Sequence, residues 1–453
     1  MSSPDTTART ADLPVLVLGA GPVGLAAAAH LLERGLEPLV LEAGDDVAAS
    51  VRQWSHVQLF SPWRYDVDAA AARLLAATGW QAPRPTALPS GAELVGRYLA
   101  PLADTPALRP CVLTGHRVLA VAREGLDKTH VADRAGQPFV VRARRRDGQV
   151  VDLRARAVID ATGTWSRPNP LGTSGLPALG EAEAGDAVLG PLPDVLGRDR
   201  ARLAGRRVVV VGAGHSAVTT LLELARLGRE VPGTTVTWAV RRSSPERVYG
   251  GGDRDGLPAR GLLGERLRRA VQAGAVELVT GFRTTRVRAG DGGVLLTGTG
   301  GDGDERTLAA DVVVAATGFR PDLDMLRELR LDLDPGLEAP RGLAPLVDPE
   351  THSCGTVPPH GAALLAHPEP GFYVVGAKSY GRAPTFLLAT GYEQVRSVAA
   401  ALAGDLAAAD DVRLDLPETG VCSVGVASAD RGFVTGSSHG RSAEREAAVA
   451  ACC

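Results

Sequence analysis

Val15-Leu-Val-Leu18, Gly19-Ala-Gly21-Pro22-Val-Gly24, the Ala/Leu-rich run Leu25–Arg34 and Pro38-Leu-Val-Leu-Glu42 decide the fold. Four consecutive apolar residues bounded by glycine read as a strand buried on both faces. The run that follows has helical spacing and stops at Gly35, and a second strand then ends on Glu42. Each glycine of the turn answers a steric demand. Gly19 makes the tight turn, Gly21 lets a pyrophosphate approach the backbone, and Gly24 lets helix and strand pack closely. The helix N-terminus offers N–H groups and partial positive charge to that pyrophosphate. Glu42 stands where a carboxylate accepts hydrogen bonds from a ribose diol. The stretch predicts a βαβ dinucleotide-binding unit.

The pattern returns in Arg207-Val-Val-Val-Val211, Gly212-Ala-Gly214-His215-Ser216-Ala217 and the helical run Val218–Leu227. His215 and Ser216 are expected to cap that helix and touch phosphate. The next strand, Thr235–Val240, ends in Arg241-Arg242 where the first unit has Glu42. A carboxylate repels a 2′-phosphate and a guanidinium grips it, so the second site is expected to prefer NADP over NAD. Each half also closes on an apolar strand running into Thr-Gly, at Thr162-Gly163 and at Thr317-Gly318. Before each closing strand lies a β-rich insert, Phe139–Arg144 with Val150–Arg154, and Val276–Val279 with Arg283–Arg288 and Val294–Thr297. Phe372–Gly376 then reads as a strand returning to the first sheet, and Thr385–Leu402 as a helix whose N-terminus reaches the first cofactor.

Composition fits this reading. Of 453 residues 54 are glycine and only 4% aromatic, which suits tight strand-to-helix turns better than a β-sandwich. The net charge of −3 gives no sign of a nucleic-acid-binding surface. Leu13 to Ala29 lacks charge, but its glycines and Gly-Pro step break it into strand, turn and helix rather than a bilayer span. Met1–Asp12 lacks the basic segment of a secretory signal. Five scattered cysteines, Cys111, Cys354, Cys422, Cys452 and Cys453, make no disulfide framework. The expectation is a soluble cytoplasmic protein with no membrane partner.

Two dinucleotide folds, the first with an acidic and the second with a basic strand end, resemble the flavoproteins with two dinucleotide-binding domains. The two Gly motifs, Ala316-Thr317-Gly318-Phe319, and Val51-Arg-Gln-Trp54 through Ser61-Pro62-Trp63 resemble the flavin-containing monooxygenases within that group. The FxGxxxH signature of that branch is not recognisable in Gly185–Gly205. Thr351-His352-Ser-Cys354 to His360-Gly361 and Gly376-Ala377-Lys378 to Thr385 are similar to arsenic-resistance-associated flavin monooxygenases of actinobacteria.

The resemblance implies an α/β fold of two Rossmann-like domains, the NADP domain inserted into the FAD domain. Residues 13–190 and 336–415 would bind FAD and 191–335 NADPH, with 1–12 disordered and 416–453 a mobile Cys-containing tail. It implies that Gly19, Gly21, Pro22, Gly24, Glu42, Trp54, Thr162, Gly163, Gly376 and Thr385 hold FAD. Gly212, Gly214, His215, Ser216, Arg241, Arg242, Thr317 and Gly318 would hold NADPH. O₂ and a small molecule with a soft sulfur, nitrogen or arsenic centre would be the other reactants. The alternative is an NADPH-dependent reductase serving an external acceptor or metalloid. Disulfide relay is disfavoured, because no CxxC or CxxxxC pair exists.

Three residues are candidates for chemistry. Lys378 and Arg382 would face the pyrimidine edge of the flavin and stabilise its anionic reduced form, or else sit in a solvated loop. Cys354, between His352 and His360, would serve as a redox thiol or a metalloid ligand, or be an ordinary loop cysteine beside two surface histidines. Cys452-Cys453 is a second candidate for capturing a thiophilic metalloid. No resident metal is expected, and a homodimer is the expected assembly.

Overall fold

The computed structural model describes residues 10–250, 257–290, 292–301, 303–349, 357, 360–383 and 386–411. The first unit opens with β1 (Val15–Leu18), α1 (Pro22–Glu33) and β2 (Pro38–Leu41). It adds α2 (Ala49–Gln53), β3 (Val112–Leu113), the antiparallel strands β4 (His116–Arg123), β5 (Phe139–Arg145) and β6 (Val150–Ala155), and β7 (Ala157–Asp160). The second unit holds β8 (Val188–Leu189), β9 (Arg207–Val211), the helix His215–Glu230, β10 (Thr235–Ala239) and β11 (Glu277–Val279). Antiparallel strands β12 (Arg283–Gly290), β13 (Gly293–Thr299) and β14 (Glu305–Ala310) precede β15 (Val312–Ala315). The chain then returns through β16 (Phe372–Val374) and the helix Leu388–Leu402.

The strand orders carry the inserted topology. One parallel sheet runs β16-β7-β1-β2-β3, joining the start of the chain to its late return, and the other runs β11-β10-β9-β15-β8. Strand periodicity explains why each sheet is apolar on both faces. Val15 and Val17 pack on the helical side, whereas Leu16 and Leu18 face Val121, Phe139 and Val141 of the antiparallel insert. Val208 and Val210 face the second unit's helices, and Val209 and Val211 face Val294 and Leu296. Full burial of each such side chain contributes roughly 1.5–3 kcal/mol.

The packing redraws several boundaries. Leu171, Ala178 and Ala184 already belong to the second unit's core, ahead of the expected seam at 190/191. Leu326 and Leu329 are back in the first unit's core before the expected return at 336. β11 pairs in parallel with β10, so Val276–Val279 belongs to the main sheet and not to the insert. The third insert strands, β4 and β14, escape the sequence reading. β4 runs its apolar residues Val118–Ala122 together between charged ends and β14 starts on Glu-Arg, so neither shows a clean alternation. The late helix begins at Leu388, three residues after the expected start at Thr385, which lies outside the described residues. Thr10–Asp12 forms a single 3-10 turn rather than disorder. The expected tail at 416–453 lies outside the described residues.

Candidate functional site

A cavity of about 740 Å³ opens at the C-terminal ends of β1, β2 and β7, where ligands enter open α/β sheets. Gly19, Gly21, Pro22, Glu42, Trp54, Thr162, Gly163 and Gly376 all line it. The glycine turn divides its labour as steric reasoning expects. A Cβ on Gly24 would stand 1.9 Å from the Gly19 carbonyl oxygen, so Gly24 itself is packed against the turn. A Cβ on Gly21 would meet nothing within 4 Å and would project into the cavity. No side chain caps α1 at Gly21, which leaves that helix end to a ligand.

Glu42 closes the far side. Its Oε2 accepts from Ala20 N at 2.9 Å and its Oε1 from Gly44 N at 2.8 Å, and these bonds tie the glycine turn to the loop after β2. Each carboxylate oxygen keeps acceptor capacity for a diol. His116, Arg117 and Val118 of β4 complete this end. They were invisible in the sequence because β4 was not recognised. An open glycine turn, a carboxylate with spare acceptor capacity and a cavity of this volume together fit an FAD molecule.

Beneath the cavity floor lies a polar group that the sequence reading placed differently. Lys378 was expected at the flavin edge, but its ammonium is fully buried, 2.6 Å from Asp160 Oδ2 and 3.1 Å from Thr162 Oγ1. Asp160 Oδ1 accepts from the Thr162 hydroxyl at 2.7 Å and from Thr162 N at 3.1 Å. Lys378 therefore supports the floor from behind, one residue beyond Ala377, which lines the cavity. Asp160 was missed, although a carboxylate ending an apolar strand was the signal available. Arg382 is exposed, and Cys354 and His352 lie outside the described residues. His360, expected at the surface, is buried, with Nε2 2.7 Å from the Gln394 amide nitrogen. Gln394 Oε1 in turn accepts from Gly376 N at 2.7 Å, which fixes the turn beside the cavity.

At the inter-unit side of the cavity, burial works against the Asp322 carboxylate. Hydrogen bonds from Arg167 and Asp324 N and the charge of Lys378 nevertheless hold it below the usual range. Trp165 packs on Phe319 with centroids 5.1 Å apart, and both line the cavity. Trp54 lines it too, at the end of α2, whereas Trp63 is core.

The second glycine turn repeats the first. Gly214 holds the cap position of the helix His215–Glu230, and no side chain caps it, so His215 and Ser216 are its first residues rather than its cap. A Cβ on Gly214 would meet nothing within 4 Å. The His215 ring packs 5.2 Å from Phe60 of the first unit. Arg241 and Arg242 are exposed just past β10. Thr317 donates from its hydroxyl to the Asn169 carbonyl, and Asn169 N donates to Gly318 O at 2.9 Å, so these close the inter-unit crossing. Among the described residues the sole cysteine is Cys111, away from the cavity, its thiol pushed up by burial and by the charge of Glu37. No helix among the described residues is long and apolar enough to cross a membrane.

Comparison with known proteins agrees with this architecture. A family profile described as pyridine nucleotide-disulphide oxidoreductase matches residues 16–356. A ferredoxin–NADP reductase of Ignicoccus hospitalis is 28% identical over 322 residues, covering 70% of this chain and 81% of the relative. Among solved structures, bacillithiol disulfide reductase from Bacillus cereus aligns with a TM-score of 0.65 at 20% identity, covering 86% of this chain and 99% of that one. Ornithine hydroxylase from Pseudomonas aeruginosa aligns with a TM-score of 0.57 at 18% identity, covering 87% and 99%.

Proposed function

We propose, from the premise that this chain belongs to the pyridine nucleotide-disulphide oxidoreductase family and is an FAD- and NAD(P)(H)-dependent oxidoreductase, that it is an NADPH-dependent monooxygenase. Its substrate would be a small molecule with a soft sulfur, nitrogen or arsenic centre. For a sulfide the balance is R₂S + O₂ + NADPH + H⁺ giving R₂SO + H₂O + NADP⁺. Bound FAD supplies hydride acceptance and reactivity towards O₂. The protein's residues bind, orient and shield. Glu42 takes the ribose diol, Gly21 leaves room for the pyrophosphate, and the Asp160–Thr162–Lys378 group holds the cavity floor still. Arg241 and Arg242 grip the 2′-phosphate of the coenzyme. Trp165 and Phe319 keep water from the inter-unit side.

The observation that carries this reading is the make-up of the cavity wall. Among the described residues no cysteine lines it, and the sequence has no CxxC or CxxxxC pair through which electrons could leave to a disulfide. O₂ needs no such relay. A second reading, a reductase serving an external acceptor, is favoured by the ferredoxin–NADP reductases among the relatives. One experiment separates the two. The flavin-loaded protein is reduced with NADPH under nitrogen, then mixed with O₂ and methyl p-tolyl sulfide. Sulfoxide in proportion to NADPH supports the oxygenase. Peroxide alone, with rapid reduction of an added one-electron acceptor, selects the reductase.

A further inference from the structure

A second cavity of about 370 Å³ adjoins the first. The two have two lining residues in common, Gln53 and Trp165, and these are bonded to each other, Trp165 Nε1 donating to Gln53 Oε1 at 2.8 Å. Gln53 ends α2 and Trp165 follows the Thr162-Gly163 turn, so this shared edge belongs to the first unit. The remaining wall belongs to the second unit, from Leu189 to Pro193 with Arg198 and Asp199. From the geometry we infer that this chamber is where the oxidisable substrate binds and that the Gln53–Trp165 pair is the edge across which it meets the flavin. The inference rests on the oxygenase reading above.

The chamber wall indicates the class of ligand. Leu189, Pro191, Leu192, Pro193 and the Trp165 indole are apolar. The two charges on the wall are set against each other, Arg198 standing 3.7 Å from Asp199. Asp199 Oδ2 is further engaged by Asp194 N at 2.8 Å. Arg198 is largely exposed at the rim, so the chamber fits a small molecule with an apolar body, neutral or negatively charged. Its volume falls at the lower end of small-molecule sites, about 300–1,000 Å³.

The backbone reinforces the assignment. Leu192, between two prolines, has φ +57, a left-handed conformation that costs a residue of this type on the order of 1–2 kcal/mol. A residue preceding proline is also disfavoured in helical conformations. Strain of this kind persists where surrounding structure fixes it and concentrates at ligand clamps. Trp165 has a matching brace on its other side, the Phe319 ring.

Gly190 provides the test, because a Cβ there would meet nothing within 4 Å while lying on the chamber wall. Binding of methyl p-tolyl sulfide to the oxidised, flavin-loaded full chain is measured by calorimetry. Gly190→Phe should weaken it at least tenfold, with Gly190→Leu as the smaller filler should the Phe variant fail to fold. Equal affinity in wild type and filled variants overturns the chamber, as does a tenfold rise in KM for NADPH with sulfide binding unchanged, which would give the space to the coenzyme. Trp165→Phe keeps a ring on Phe319 but loses the N–H that Gln53 holds. It should raise the share of NADPH ending as peroxide at least threefold, and an unchanged share overturns the role given to the pair. Sulfide that binds in the chamber but is never oxygenated defeats the oxygenase reading and leaves the binding site standing.

Discussion

Lys378 Nζ lies 2.6 Å from Asp160 Oδ2, and neither side chain has any exposed surface. The pair joins a residue of the chain's late return to the end of β7, so it locks the two separated halves of the first unit together under the cavity. Removing one partner of a buried pair leaves the other charge uncompensated and typically costs about 3–5 kcal/mol. Lys378→Met should therefore lower the denaturant midpoint of the apoprotein sharply, and Thr162 should lose its fixed place, with a fall in bound flavin. The double variant Asp160→Asn/Lys378→Met should recover part of the stability. A Lys378→Met protein with wild-type midpoint and full flavin content would show that the pair holds nothing in place.

The parts of the site that were legible were those encoded by short-range rules. Gly19, Gly21 and Gly24 lie in one local turn, and Gly19, Gly21 and Glu42 line a single cavity with Gly24 packed behind the turn. Lys378 was placed by proximity to Gly376, which says where the backbone runs but not which way a long side chain points. Its direction is set by Asp160, 218 residues away. Gln53 and Trp165 meet across 112 residues, a separation at which no periodicity speaks. β4 failed for another reason: Val118–Ala122 is an unbroken apolar run between Arg117 and Arg123, so it shows no two-residue alternation.

Arg241 lies two residues past the end of β10, one beyond Val240, which takes the place that Glu42 holds after β2, and it is exposed to solvent. A charge-assisted hydrogen bond to a 2′-phosphate contributes about 1.5–3 kcal/mol, or roughly tenfold to a hundredfold in affinity. Arg241→Ala should raise KM for NADPH at least tenfold and leave that for NADH within about twofold. Steady-state flavin reduction with both coenzymes checks this, and equal losses for the two would remove the 2′-phosphate from the account.

Asp66 is wholly buried, with Ser61 Oγ donating to Oδ1 at 2.7 Å and Oδ2 without a hydrogen-bond partner. Burial pushes its carboxyl up to about 7 from the usual 3.8, the Ser61 bond opposing. A raised acid binds its proton more tightly folded than unfolded. Its contribution to stability is thus complete below about pH 4 and is lost as pH rises through 7, by at most about 4 kcal/mol. Asp66→Asn should lose this dependence, so that its stability relative to wild type improves between pH 5 and pH 8. Urea midpoints at the two pH values decide it, and parallel shifts in both proteins would mean that Asp66 does not titrate in this window.

Gly21 and Gly24 sit three residues apart in one motif, yet their substitution by alanine should separate stability from binding. At Gly24 the new methyl would stand 1.9 Å from the Gly19 carbonyl oxygen, and Gly19 cannot easily yield, since its φ of +96 and its N–H bond to Leu41 O at 2.7 Å fix the turn. Such overpacking costs about 1–3 kcal/mol and occasionally more, so Gly24→Ala should melt early even without flavin. At Gly21 the methyl enters open space, and φ of −79 suits alanine. The Gly21→Ala apoprotein should melt with the wild type. Its methyl then occupies the place a pyrophosphate needs, and FAD affinity should fall at least tenfold. Apoprotein melting and FAD titration of both variants check the contrast. A Gly21→Ala protein that binds FAD as tightly as wild type would mean that the pyrophosphate does not pass over this turn.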